Sequence, residues 1–127
     1  MNPEKVAFGF FIILALTLNF GFVMGDLDNP SHHNVYELFA AIVVNLIATV
    51  LKFGDRTQLG AVMLATSLVA DLELAAAAIV WGIYAQTGGG DLAPGEMASV
   101  VSLAGGAVLA NFVSVILLVI ETVMLRR

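Results

Sequence analysis

Apolar residues fall into four long blocks, each near the ~20 residues that an apolar helix needs to cross a bilayer. The blocks predict helices at about 6–24, 37–53, 59–84 and 98–125, the last two long enough to tilt or to project beyond the hydrocarbon. Between them stand 25-GDLDNPSHHNVY-36, 54-GDRTQ-58 and 87-TGGGDLAPGEM-97, whose Gly, Pro, Asn and Asp favour turns. The pattern predicts an all-α polytopic membrane protein, a single four-helix transmembrane domain over 1–127 built from two helical hairpins.

Polarity within the spans predicts how they pack. Span four carries Ala98, Ser102, Gly106, Ala110 and Ser114 at intervals of four, a small-residue stripe of the kind that lets backbones approach inside a membrane. Ser67, Asp71, Ala75, Ala78 and Gly82 form a similar face on span three, whereas span one holds five of the eight phenylalanines. Spans three and four are therefore expected inside the assembly and span one against lipid. The hairpins are weakly alike: 42-IVVNLIATVL-51 aligns with 108-VLANFVSVIL-117, setting Asn45 on Asn111, and 12-IILALTL-18 aligns with 62-VMLATSL-68. Both hairpins start on the same side, so a repeat would be parallel, about an axis along the membrane normal.

Composition agrees with lipid as the solvent, since 60% of residues are hydrophobic and only 12% charged. Charge then fixes orientation. All five basic residues, Lys5, Lys52, Arg56, Arg126 and Arg127, fall on one side, while the opposite loops carry Asp26, Asp28, Asp91 and Glu96. The positive-inside rule gives both termini and the turn holding Arg56 to the cytoplasm. The apolar run after Lys5 is long for a secretory signal and reads as a retained span. A net charge of -5 argues against nucleic acid or anionic lipid as a dedicated partner and favours attraction of cations. With no cysteine, disulfides, thiolate metal sites and thiol nucleophiles are excluded.

The chemistry concentrates in the spans. Asp71 and Glu73 lie ~18 to 21 Å from the inner end of span three, near mid-membrane. An ionised carboxylate there costs at least ~2.5 to 3.5 kcal/mol, so these groups must be protonated, hydrated or bound to a cation. Spaced two apart, they differ by ~200° around the helix; Asp71 takes the small-residue face with Ser67, and Glu73 the other. Asn45 and Asn111 fall at similar depth and Asn19 higher in span one. Their amide oxygens with one carboxylate would suit a hard monovalent or divalent cation, or would hydrogen-bond between helices. In the first outer loop Asp26, Asp28, His32 and His33, followed by Glu37, would hold a divalent ion or form a solvated acidic mouth, with Asp91 in the second outer loop. Glu121 is expected to pair with Lys52 or Arg126. No Ser-His-Asp set and no phosphate-binding glycine loop occurs, so no enzyme is expected.

Three resemblances bear on function. The segment 87-TGGGDLAP-94 resembles the Thr-x-Gly-Tyr-Gly-Asp filter of potassium channels but is one residue short, and the preceding segment must span the membrane. The turn 52-KFGDRT-57 resembles the Glu-x-Gly-Asp-(Lys/Arg)-(Thr/Ser) hallmark of small manganese and calcium transporters, with Lys52 in place of the acid and no second copy. The whole chain is similar to small uncharacterised four-span inner-membrane proteins of Gram-negative bacteria, which implies a bacterial inner membrane and no particular activity. The expectation is a cation-conducting or cation-transporting protein in a symmetric homo-oligomer, its partners being lipid, further copies of itself and an inorganic cation, with no other cofactor. The alternative is a non-conducting accessory or scaffold subunit of a larger membrane complex.

Overall fold

The computed structural model describes residues 3–25, 33–87 and 92–125. They form four helices, α1 (Pro3–Val23), α2 (Val35–Lys52), α3 (Gln58–Thr87) and α4 (Pro94–Leu125), each long and apolar enough to cross a membrane. The helices start or end a few residues outside the apolar blocks because their terminal turns are polar. Pro94 opens α4, where a missing N–H costs nothing, and Glu96 Oε1 accepts from Ala93 N at 2.8 Å. Asn34 caps α2 by accepting from Tyr36 N at 2.8 Å, and Thr57 caps α3 by accepting from Gly60 N at 2.9 Å. Gly25, at φ 96°, takes the left-handed conformation just past α1.

Each helix packs on the next in sequence, and α4 packs back on α1, so the bundle is a closed antiparallel ring. The buried face of α3 is Gly60, Met63, Ser67, Ala70, Leu74 and Ala77, and that of α1 is Phe8, Ile12, Ala15, Asn19 and Phe22. Both alternate steps of three and four, the spacing that keeps a seam facing the bundle axis. Two apolar clusters fill the ends. Phe22, Leu38, Leu74 and Met97, edged by Trp81 and Tyr84, occupy one end; Phe8, Ile12, Ala48 and Met63 occupy the other. We call these the Trp81 end and the Lys5 end. The outer surface remains apolar, with Phe10, Phe20, Leu72, Leu109 and Phe112 more than half exposed, as lipid contact requires.

One packing expectation is corrected. Span one does not stand apart as the lipid-facing helix: like the others it has an inner face, here Phe8, Ile12, Asn19 and Phe22, and turns its opposite face, with Phe10 and Phe20, outward. Within the single bundle the span-four stripe is spread over both faces. Ser102 is exposed, Ala98, Gly106 and Ala110 are half-buried, and only Ser114 is buried. A strict step of four advances 400°, so the stripe drifts ~40° per step around the helix. The interior of α4 instead presents Val100, Ala104, Ala107, Asn111 and Ser114. The hairpin likeness survives in part. Asn45 and Asn111 are both fully buried, as are Ala48 and Ser114, which align with one another, whereas buried Ile12 and Ala15 align with exposed Val62 and Ala65.

Candidate functional site

Between the two apolar clusters lies a polar middle section to which every helix contributes. Asn19 of α1, Asn45 of α2, Ser67 of α3 and Asn111 of α4 are fully buried, on the faces that the alternating seam turns inward. Asn45 stands at its centre of connection. Its Nδ2 donates to Asp71 Oδ1 at 2.5 Å and to the Ser67 carbonyl at 3.2 Å. Thr49, one turn along α2, lies 2.6 Å from Asp71 Oδ2 and 2.9 Å from the Asn45 carbonyl. Its single hydroxyl proton serves one of these acceptors at a time. Asp71 is thus held across the α2–α3 seam by two neutral donors, with no basic group among its bonded partners. The small-residue face assigned to it is split: Ser67 is fully buried and Ala78 half-buried, whereas Ala75 and Gly82 are exposed.

Glu73 is placed on the other side of α3, against α4. A Cβ added to Gly106 would overlap the Glu73 carboxylate, so this glycine leaves the room in which the acid sits. Glu73 does not bridge to Asn45 or Asn111, and it makes no hydrogen bond among the described residues. Six buried side-chain atoms of the middle section are likewise unpartnered: both polar atoms of Asn19, both of Asn111, Asn45 Oδ1 and Ser67 Oγ. Ser114, aligned with this section, hydrogen-bonds Thr66 across the α3–α4 seam; Thr66 donates to the Met63 carbonyl at 2.9 Å, which leaves Ser114 as the donor to Thr66.

At the Lys5 end, charged groups tie the ring together. Lys5 Nζ lies 2.6 Å from Glu121 Oε1, joining α1 to α4, so among the described residues Glu121 pairs with Lys5 and not Lys52; Arg126, the other expected partner, lies outside them. Lys52 is buried, stands 3.2 Å from Asp55 Oδ2, and lies over the Phe8 ring at 4.3 Å. Hydrogen bonds from the Thr57 hydroxyl and backbone N–H hold the Asp55 carboxyl down at about 2, with a lesser contribution from Lys52. Lys5, Lys52 and Asp55 line a polar cleft of about 450 Å³ with Glu4 and Arg56.

The expected outer mouth is only partly visible. Asp26, Asp28, His32 and Asp91 lie outside the described residues. His33 is buried, and its Nδ1 donates to the Phe22 carbonyl at 2.5 Å, satisfying an orphan acceptor at the end of α1. Glu37 lies along α1, where a Cβ on Gly21 would stand 2.7 Å from its Oε2. Among the described residues no three His, Asp or Glu side chains converge as a metal site. The residues that sequence reasoning missed are Thr49, Thr66 and Lys5. Thr49 carried a usable signal, being four residues from Asn45 and so on its face.

The model of a family of unknown function, DUF6394, matches residues 32–122, most of the chain. The chain belongs to the DUF6394 family. No curated protein and no solved structure matches it. The DUF6394 match runs through α2, α3 and nearly all of α4, and therefore takes in Asn45, Thr49, Ser67, Asp71, Glu73, Gly106, Asn111 and Glu121. Asn19 and Lys5, on α1, lie before it.

Proposed function

We propose that this DUF6394 protein moves cations across a bacterial inner membrane, with both termini cytoplasmic, and that Asp71 is the acid on the path. The observation that carries the reading is the bonding of Asp71 in the polar middle section. Its two oxygens face neutral donors from Asn45 and Thr49, which hold the carboxylate in place without neutralising it. Leucine would remove the insertion cost, so a carboxyl group kept at this depth is better explained by use than by stability. Apolar clusters close the bundle on both sides of the section, an arrangement that favours a carrier with an occluded site over a continuously wetted pore. The protein works as a symmetric homo-oligomer in this reading, since four helices offer little wall for a hydrated passage within one copy.

Two measurements test this. In liposomes bearing the purified protein, cation flux should be present, and Asp71→Asn should reduce it at least ~10-fold while the variant keeps its detergent mass and helix content. Unchanged flux in that variant, or no flux from the wild type under any cation gradient, would move the reading to an accessory subunit of a larger complex. Orientation is tested by Arg56→Cys in this cysteine-free chain. An impermeant thiol reagent should label it only from the cytoplasmic side, and labelling from outside intact cells would invert the topology.

A further inference from the structure

We infer that the middle section is a binding site for a single dehydrated monovalent metal cation of the alkali class, with Asn45 Oδ1, Ser67 Oγ and Asn111 Oδ1 as neutral ligands and Asp71 as the compensating charge. This rests on the cation-transport reading and names its ion class. The starting point is the set of six buried side-chain atoms that make no hydrogen bond. A bundle of this kind normally satisfies or replaces such groups, because each unsatisfied one carries its full desolvation cost. Here they occur on all four helices, within one section between the two apolar clusters.

Their levels follow from neighbouring contacts. Gly9 of α1 lies level with Leu118 of α4, and Gly21 of α1 with Glu37 of α2. At ~1.5 Å rise per residue, Asn111 stands ~10 Å and Asn19 ~15 Å from the first level toward the Trp81 end, and Asn45 lies ~9 Å from Asn19 toward the Lys5 end. The section is therefore ~9 Å deep, too deep for all three amides to ligate one ion whose oxygens sit at ~2.4 Å. Asn45 and Ser67 are neighbours through the Asn45 Nδ2 bond to the Ser67 carbonyl, and Asn111 lies one turn along α4 from Ser114, which bonds Thr66 beside Ser67. These three form the lower group, and Asn19 stands apart as an upper contact. The Asp71 oxygens accept from Asn45 and Thr49, yet each retains a lone pair for an ion.

Charge decides the valence. Glu73 faces α4 at Gly106 and not the Asn45–Ser67 group, so the site itself holds one carboxylate, which balances a single positive charge, whereas a divalent ion would leave about +1 there against the large cost of an uncompensated buried charge. Sites for Ca2+ and Mg2+ gather more carboxylates or retain water.

The test is thermal unfolding of the purified protein in detergent, with NaCl, KCl, CaCl2 and MgCl2 compared with choline chloride at equal ionic strength. Na+ or K+ should raise the midpoint saturably by at least ~3 °C through binding to the folded state, and Asn111→Leu should abolish the rise. Asn111→Asp, which adds a second charge, should transfer the stabilisation to Ca2+ or Mg2+; this second variant keeps the proposal testable should Asn111→Leu fail to fold. Equal midpoints in alkali and choline salts would mean a water-filled section and overturn the site. Divalent preference in the wild type would overturn the ion class. Proton flux that depends on Asp71 with no alkali-specific shift would sink this inference and leave the transport reading standing, whereas an intact shift with flux unchanged in Asp71→Asn would do the reverse.

Discussion

Asp71 and Glu73 are the same chemistry two residues apart on one helix, and the bundle treats them differently. Asp71 reaches across the α2–α3 seam and receives hydrogen bonds from Asn45 and Thr49. Glu73 reaches across the α3–α4 seam and receives space: its carboxylate lies over Gly106, where a side chain would collide with it. One acid is held by donors and the other by a missing Cβ. A helix thus has two ways to accommodate a carboxylate in the middle of an apolar bundle, and only the first fixes its oxygens in a stated geometry.

The largest expected effect is on the side built by shape. Gly106→Leu brings a whole isobutyl group to the α3–α4 seam, more than the flexible Glu73 carboxyl can admit by swinging aside, and should cost ~2 to 3 kcal/mol as overpacking at a helix contact. Thermal unfolding in detergent measures it, and Glu73→Ala in the same chain should recover much of the loss, because the two residues share one space. A Gly106→Leu protein that melts with the wild type would remove the contact on which this half of the comparison stands.

A smaller loss is expected on the side built by hydrogen bonds. Asn45→Leu takes away the donor to both Asp71 and the Ser67 carbonyl and should destabilise by ~1 to 3 kcal/mol, the cost of leaving buried acceptors unpaired. Were this variant as stable as the wild type, Asp71 would have another partner and the two acids would not differ as described. The smallest effect belongs to Glu73→Gln, which keeps the volume over Gly106 and loses no hydrogen bond among the described residues. Its stability should lie within ~0.5 kcal/mol of wild type, and a drop beyond ~1.5 kcal/mol would reveal a bonded Glu73.

The four helices were legible in the sequence because an apolar block of membrane-spanning length has few other uses, and the terminal turns were missed because caps are polar by function. The candidate site was legible where a costly residue marks itself. Asp71 and Asn45 are conspicuous in apolar helices, and they do meet. Thr49 passes unnoticed among β-branched neighbours although its hydroxyl completes the same cluster. The Ser102 to Ser114 stripe does not trace the inner face of α4, because a step of four looks periodic on paper and drifts on a helix. The place of α1 misled for a related reason: counting phenylalanines ignores that Phe8 and Phe22 share a face with Asn19 while Phe10 and Phe20 do not. The pairing of Glu121 with Lys5 could not be chosen over nearer candidates until the ring order of the helices was known.

Lys5 and Glu121 are separated by 116 positions along the chain, so their bridge is an event in time as well as a contact in space. The ribosome delivers α1 before α4, and the ring stays open along one edge until α4 is made. In that interval the α1 flank that will meet α4, including Gly9 opposite the future Leu118, faces lipid or the insertion machinery, and Lys5 waits at the membrane surface without Glu121. Closure of the bundle thereby waits for α4, and a chain arrested before it would leave Asn19 without the helix that encloses it, a substrate for membrane quality control.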